Sequence, residues 1–467
     1  MVRMGLKIGL SSVCLFLIIA ALMLAGCGGG SSTETTTTTT TVPETTSTAT
    51  STTTTTTLLP EVAGITDEAF NSTGIYVESD ETNGYGITIN ASEELIVCGN
   101  YYTGAGTGLG WDLAAWKITS NGSVDTSFGT NGRFVLTGLT TTTGVNADTL
   151  YSVIADPNGN ILATGYYYNG QTPQADMVLI KLTPAGSLAA GFGENGIVTY
   201  NRGSGLGGDA GISVIIDSNN RILVAGYTTN TSANTDSTIW CYNQYGNPDT
   251  SFGTSGRAYY DGGLSDQAFS IIEAADGGYY VAGTTLLTAS QASLILLKYN
   301  SSGQLDTSFG TAGKSVLTVD NTHVTGYSLV SDASGNLYVF GHYGTLDNSD
   351  IHSAIFKYNS SGSLVAGFGV NGIAQANGCV ATAIPGELSI SNGGYLYVTG
   401  KNSASPIAMT TWRFKPDGTL DTTFGSNGEI TYSIFGGAQG GAVKLDSSKR
   451  VVIAGSSSSK MAVWRYR

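Results

Sequence analysis

From Tyr85 onward the chain alternates apolar and polar positions in short runs, with Gly, Asn and Asp between them. In the stretch from Tyr85 to Leu136, Ile87-Thr88-Ile89 is one alternating run and Asn90-Ala91-Ser92-Glu93 a turn. Leu95-Ile96-Val97-Cys98-Gly99 is a second run. A variable segment, 100–110, leads to Leu113-Ala114-Ala115-Trp116-Lys117-Ile118, then the turn SNGSVDTSFGTNG, then Arg133-Phe134-Val135-Leu136. A period of two punctuated by turn residues predicts four antiparallel strands joined by hairpins.

The same unit recurs. A Phe-Gly phrase closes it as DTSFGTNG at 125–132, AAGFGENG at 189–196, DTSFGTSG at 249–256, DTSFGTAG at 306–313, VAGFGVNG at 365–372 and DTTFGSNG at 421–428, with a degenerate copy, DEAFNSTG, at 67–74. Its phenylalanines (Phe70, Phe128, Phe192, Phe252, Phe309, Phe368 and Phe424) repeat every 56–64 residues. The second strand reads LIVCG, ILATG, ILVAG, YYVAG, LYVFG, LYVTG and VVIAG, each ending at glycine. Seven four-stranded units of this size predict an all-β, seven-bladed β-propeller of antiparallel blades. A flat stack of repeats would need distinct end caps, and none is visible. Arg467 follows directly on the third strand of the last unit. The N-terminal strand at about 73–77 is therefore expected to complete the last blade and close the circle without a bare edge.

Motifs such as DTSFGTNG at 125–132 and DSNNRILVAG at 217–226 resemble the delta-60 repeat family of bacterial β-propellers, over residues 67–467. The resemblance implies a propeller at the cell surface and carries no established activity. Ala189 and Val365 depart from the family's Asp, which speaks against a joint role for the phrase aspartates.

Residues 1–26 read as a signal segment: Arg3 and Lys7, an apolar stretch from about Val13 to Leu24, then Leu24-Ala25-Gly26-Cys27, which looks like a lipobox. Cys27 is the expected lipidation site, and Gly28 after it fits sorting to the outer membrane. Residues 27–60 then form a Thr-rich tether that cannot bury apolar surface, and 61–467 the propeller. The formal charge is −14, and −16 once Arg3 and Lys7 leave with the signal, which argues against a nucleic-acid partner. Cys98, Cys241 and Cys379 are too scattered for a disulfide framework.

Among candidate sites, Asp125, Asp249, Asp306 and Asp421 are expected to cap their turns rather than bind calcium. Thr88, Ser152, Ser213, Ser270, Ser328 and Ser389 read as a line of small residues where the innermost strands crowd, with Val443 as the exception. Lys117, Lys181, Lys298, Lys357, Arg413 and Arg465 mark the third strand, broken at Cys241, and are expected to be solvated or turn-capping. Loops between strands two and three, and between successive blades, vary in sequence and share one face, where binding is expected. Tyr101, Tyr102, Trp111, Tyr166, Tyr167, Tyr168 and Tyr343 are candidate ligand contacts there, suited to sugar faces or peptides. His323, His342 and His352, near Asp347 and Asp350, are a candidate transition-metal cluster. No motif names a cofactor. The expectation is a monomeric, membrane-tethered binding module of the bacterial envelope for a glycan or protein ligand. The rival expectations are a polysaccharide lyase or hydrolase on the same face, or a purely structural envelope protein.

Overall fold

The computed structural model describes residues 61–467 apart from 104–109, 138–145, 169–174, 203–206, 320–321, 347–350, 376–378, 381–385, 403–405 and 435. The expected signal segment, Cys27 and the Thr-rich tether lie outside the described residues, as do Asp347 and Asp350. Seven antiparallel sheets radiate from one axis. Blades 1 to 6 run in order along the chain, their innermost strands at Thr82–Ile89, Thr149–Ala155, Ala210–Ile216, Asp266–Glu273, Thr322–Ser331 and Leu388–Ile390. Blade 7 is Ala438–Leu445, Val451–Ser457 and Lys460–Tyr466, with Ile75–Val77 as its outermost strand. Ile75 pairs with Trp464, Tyr76 with Val463 and Val77 with Ala462, so the ring closes as the sequence predicts. Cys379 and Val380 form a two-residue strand paired with Asn402 and Lys401.

The phrase turn holds neighbouring blades together. Each of its seven phenylalanines is 2% exposed or less. The residue after each Phe donates its backbone N–H to a carbonyl in the next blade: Gly129 to Ala185, Gly193 to Tyr245, Gly253 to Ser302, Gly310 to Ser361, Gly369 to Asp417, Gly425 to Ala63 and Asn71 to Asn121. The degenerate copy at 67–74 is thus the turn of blade 7. A conserved geometric demand accompanies the contact. At Gly186, φ is +78° and a Cβ would stand 2.8 Å from the Phe128 ring, so only glycine lets the blades approach.

The third-strand cations are structural rather than solvated. Lys117 reaches Asp125 at 3.1 Å, Lys298 reaches Asp306 at 3.0 Å, Arg413 reaches Asp421 at 2.7 Å and Arg465 reaches Asp67 at 2.7 Å. The aspartate caps its own turn: Asp306 Oδ1 accepts from the Ser308 backbone N–H and hydroxyl. Four cations also lie over the phrase phenylalanine, Arg465 at 4.6 Å from Phe70 and Arg413 at 4.7 Å from Phe424, with Lys181 over Phe192 and Lys357 over Phe368. Where the pattern breaks in blades 2 and 3, a neighbour substitutes. Cys241 removes the cation of blade 3, and Arg221 comes within 3.6 Å of Asp249 from the turn before the second strand. Ala189 removes the acid of blade 2, and Lys181 turns to Asp156 at 3.4 Å.

Three outcomes follow from this construction. Deleting 61–77 removes the outermost strand of blade 7, the seventh turn and Glu61, which binds the Tyr397 hydroxyl at 2.5 Å and Lys449 at 3.0 Å. The deletion protein is expected to aggregate on size exclusion; a monomer with unchanged melting would refute closure by this segment. Asp421→Ala strands Arg413, only 3% exposed, and should cost about 3 kcal/mol in urea unfolding. Asp125→Ala leaves Lys117 its second partner, Glu94 at 2.8 Å, and should cost about 1 kcal/mol. Equal losses would show that the pairs do not matter in proportion to burial.

The Ser308 hydroxyl and the Lys298 ammonium hold the Asp306 carboxyl at about 2, below its ordinary 3.8. A depressed folded value means stability present above about pH 4 and lost as pH falls towards 2. The urea midpoint of Asp306→Asn should therefore fall less steeply across that window than that of the wild type. Parallel curves would remove the carboxylate from the account.

Candidate functional site

Six of the innermost strands carry a β-bulge at one height, between Gly84 and Gly86, Leu150 and Ser152, Gly211 and Ser213, Ala268 and Ser270, Gly326 and Ser328, and Gly440 and Ala442. The residue skipped by the ladder is Tyr85, Tyr151, Ile212, Phe269 or Tyr327 in blades 1 to 5, and Gly441 in blade 7. Bulges re-aim side chains, and these line an axial cavity of about 470 Å³. The rings touch in sequence: Tyr85 to Tyr151 at 5.7 Å, Tyr151 to Tyr166 at 5.8 Å, Tyr166 to Tyr168 at 5.9 Å, and Phe269 to Tyr327 at 5.2 Å. Strand direction places this aromatic girdle towards the variable-loop face. Burial, with neighbouring tyrosines adding to it, pushes the Tyr85 phenol up to about 12 and the Tyr151 phenol well above its ordinary value, so both stay protonated and able to donate.

The serine line resolves differently from its reading as a line of crowded small residues. Counted from the bulge position, Ser152, Ser213, Ser270 and Ser328 align with Gly86, Glu387 and Ala442, while Thr88 and Ser389 align with Lys444, one layer further from the girdle. These serines are latches. Ser152 Oγ accepts from the Val214 N–H at 3.2 Å, Ser213 from Ile271 at 3.4 Å, Ser270 from Leu329 at 3.1 Å and Ser328 from Leu388 at 3.1 Å. In blade 6, Glu387 replaces the hydroxyl: its Oε2 accepts from the Val443 N–H at 3.1 Å and its Oε1 pairs with Lys444. That ion pair faces the cavity where the girdle lacks rings, since Gly386 and Gly441 hold the blade 6 and 7 positions.

The aromatic candidates read as loop residues are strand ends, because the ladders run on through them: Leu95–Tyr102 pairs with Gly110–Ile118, setting Tyr102 opposite Trp111 with rings 5.4 Å apart. They do not form one patch. Tyr166 and Tyr168 join the girdle. Tyr101 sits on the outer rim, its hydroxyl on Asp80 at 2.8 Å beneath Arg133. Tyr167 packs between blades 1 and 2, and Tyr343 packs on His352 and Phe356.

The histidines lie apart in role. His323 Nδ1 accepts from the Ala292 N–H at 3.1 Å and its Nε2 meets the Leu346 carbonyl at 3.2 Å. His342 is buried against Tyr327 at 4.9 Å, where desolvation pushes it down to about 3 and keeps it neutral. His352 stacks on Tyr343. Among the described residues, no three His, Cys, Asp or Glu side chains are grouped to hold a metal.

Sequence reasoning passed over Tyr85, Tyr151, Phe269, Tyr327, Glu387 and Lys444. The signal was present as an aromatic residue directly before the small one, in YG, YS, FS and YS.

A family model described as "Domain of unknown function (DUF5122) beta-propeller" matches residues 218–252, 274–309 and 396–424, within blades 3, 4 and 6. No curated protein matches the sequence. Among solved structures, a catalytically inactive virginiamycin B lyase from Staphylococcus aureus is similar at 11% identity and a TM-score of 0.47, covering 84% of this chain and 99% of that one. An ulvan lyase of a polysaccharide lyase family is similar at 10% identity and a TM-score of 0.47, covering 84% and 96%. An alpha-L-arabinanase from Penicillium chrysogenum is similar at 10% identity and a TM-score of 0.41, covering 68% and 91%.

Proposed function

We propose that the protein is a binding module whose ligand enters the axial cavity from the variable-loop face, on a propeller tethered to the bacterial outer membrane through Cys27. The observation that carries this reading is the girdle. Five bulges at one height turn Tyr85, Tyr151, Ile212, Phe269 and Tyr327 onto the axis of a preformed cavity of about 470 Å³. A core needs no such rings facing an open axis. Concave, aromatic-lined sites with a few convergent polar groups are where small ligands bind. The size suits a small molecule or the end of a chain rather than a folded partner. The lipid anchor and the Thr-rich tether support an envelope location, where glycans and peptides are the available ligands.

The test is a glycan and peptide array with the purified protein, followed by titration of the hits. Paired Tyr85→Ala and Tyr151→Ala should weaken binding at least tenfold, while Tyr101→Ala on the outer rim should leave it unchanged. Hits that depend on Tyr101, Tyr102 and Trp111 instead would move the site to the rim of blade 1.

A further inference from the structure

The axial cavity is apolar on one side and charged on the other, and its charges balance. Among the described residues that line it, Glu387 and Lys444 are the charged ones, and they pair with each other. Glu387 follows directly on Gly386, the blade 6 girdle position, so it joins the axis one residue, roughly 3.3 Å along the strand, below the rings. Lys444 comes from the layer beneath and brings its ammonium up to Glu387 Oε1, with 36% of its side chain still exposed. Glu387 also accepts from the Val443 N–H. The ammonium has three donors, so one carboxylate oxygen leaves it capacity for a ligand.

The rings stand across from this pair. Tyr85, Tyr151, Phe269 and Tyr327 stay half-buried at the innermost position of their blades. Neighbours 5.7 and 5.2 Å apart in a seven-position circle put each centroid roughly 6 Å from the axis, the reach of a cation–π contact. The step between blades of a seven-fold ring is about 51°, and Tyr85 and Tyr151 are inclined at 54°. Their planes therefore run along the axis and wall it, with Phe269 and Tyr327 three blades further round.

Several electron-rich rings about one point favour a cation. Nothing in the girdle replaces the water shell of a primary ammonium, so a quaternary ammonium gives up least on entry. Because Glu387 and Lys444 cancel, a ligand of net charge would be left uncompensated, whereas a zwitterion is matched. Resting on the axial site above, we infer that the cavity takes a quaternary-ammonium zwitterion, its trimethylammonium group among the girdle rings and its carboxylate on Lys444.

Calorimetric titration of the purified protein with γ-butyrobetaine and two analogues tests this. The methyl ester keeps the cation and masks the anion; 5,5-dimethylhexanoate keeps the anion and replaces the nitrogen by carbon. γ-Butyrobetaine should bind roughly tenfold tighter than dimethylhexanoate, the scale of a desolvated cation–π contact. It should bind roughly tenfold tighter than the ester, the scale of one charge-assisted hydrogen bond. Tyr151→Phe should keep the first ratio and Tyr151→Leu should lower it severalfold, which a ring that only fills space would not do. Lys444→Met should abolish the second ratio; a ratio that survives it would overturn the place given to the carboxylate. Equal affinity for γ-butyrobetaine and dimethylhexanoate would overturn the cation. No heat from any of the three would overturn the zwitterion class, and array hits that need Tyr85 and Tyr151 would then keep the axial site itself. Should a variant fail to melt cooperatively, the two ratios of the wild type decide.

Discussion

The phrase turn is the constraint on which the rest of the molecule depends. One short segment buries a phenylalanine between two blades, sends a backbone N–H into the next blade's turn, and caps itself with an aspartate that neutralises the cation behind the ring. A propeller blade alone leaves both faces and an edge unsatisfied. The turn solves all three problems locally and hands the same arrangement to the next blade. Because the last copy lies at the other end of the chain, in 67–74, the circle has no terminal blade. The seam between blades 7 and 1 carries the same kind of hydrogen bond as every other seam, Asn71 to Asn121.

The period told most of this from the sequence alone, since seven phenylalanines at near-constant spacing allow few architectures. The unfinished last unit and the early Ile75–Val77 strand then pointed to closure. Side-chain placement was less legible, for a definite reason. Serines matched by eye fell into two layers because the small residue follows the bulge directly in blades 2 to 5 but lies two residues further on in blades 1 and 6, so Ser152 aligns with Glu387 and Ser389 with Lys444. Aromatic candidates suffered from a related error. Tyr101 and Tyr166 occupy neighbouring places after the second-strand glycine, yet one faces the rim and the other the axis, and only the register separates them.

Compensation was invisible for another reason: it is not local in sequence. Cys241 reads as a loss of charge in blade 3, but Arg221 supplies a guanidinium to both Asp217, at 2.8 Å, and Asp249. In blades 2 and 3 the fold therefore keeps a charge at a place rather than a residue at a position. The acidic net charge of the chain hides how many of its half-buried cations have a carboxylate within reach.

Symmetry and function pull in opposite directions here. Seven equivalent blades would generate seven equivalent axial positions, and a symmetric hole has no preferred orientation for a ligand. Blades 1 to 5 keep bulky residues at the bulge, whereas blades 6 and 7 give them up for Gly386 and Gly441 and bring in Glu387 and Lys444. Glu387 still makes the latch to Val443 that a serine makes elsewhere, so the exchange costs the scaffold little while breaking the axis into an aromatic side and a charged side. The latches and phrase turns keep the surrounding strands from rearranging, which leaves the mouth preorganised. An aromatic arc facing a charged arc across one cavity orients whatever enters it.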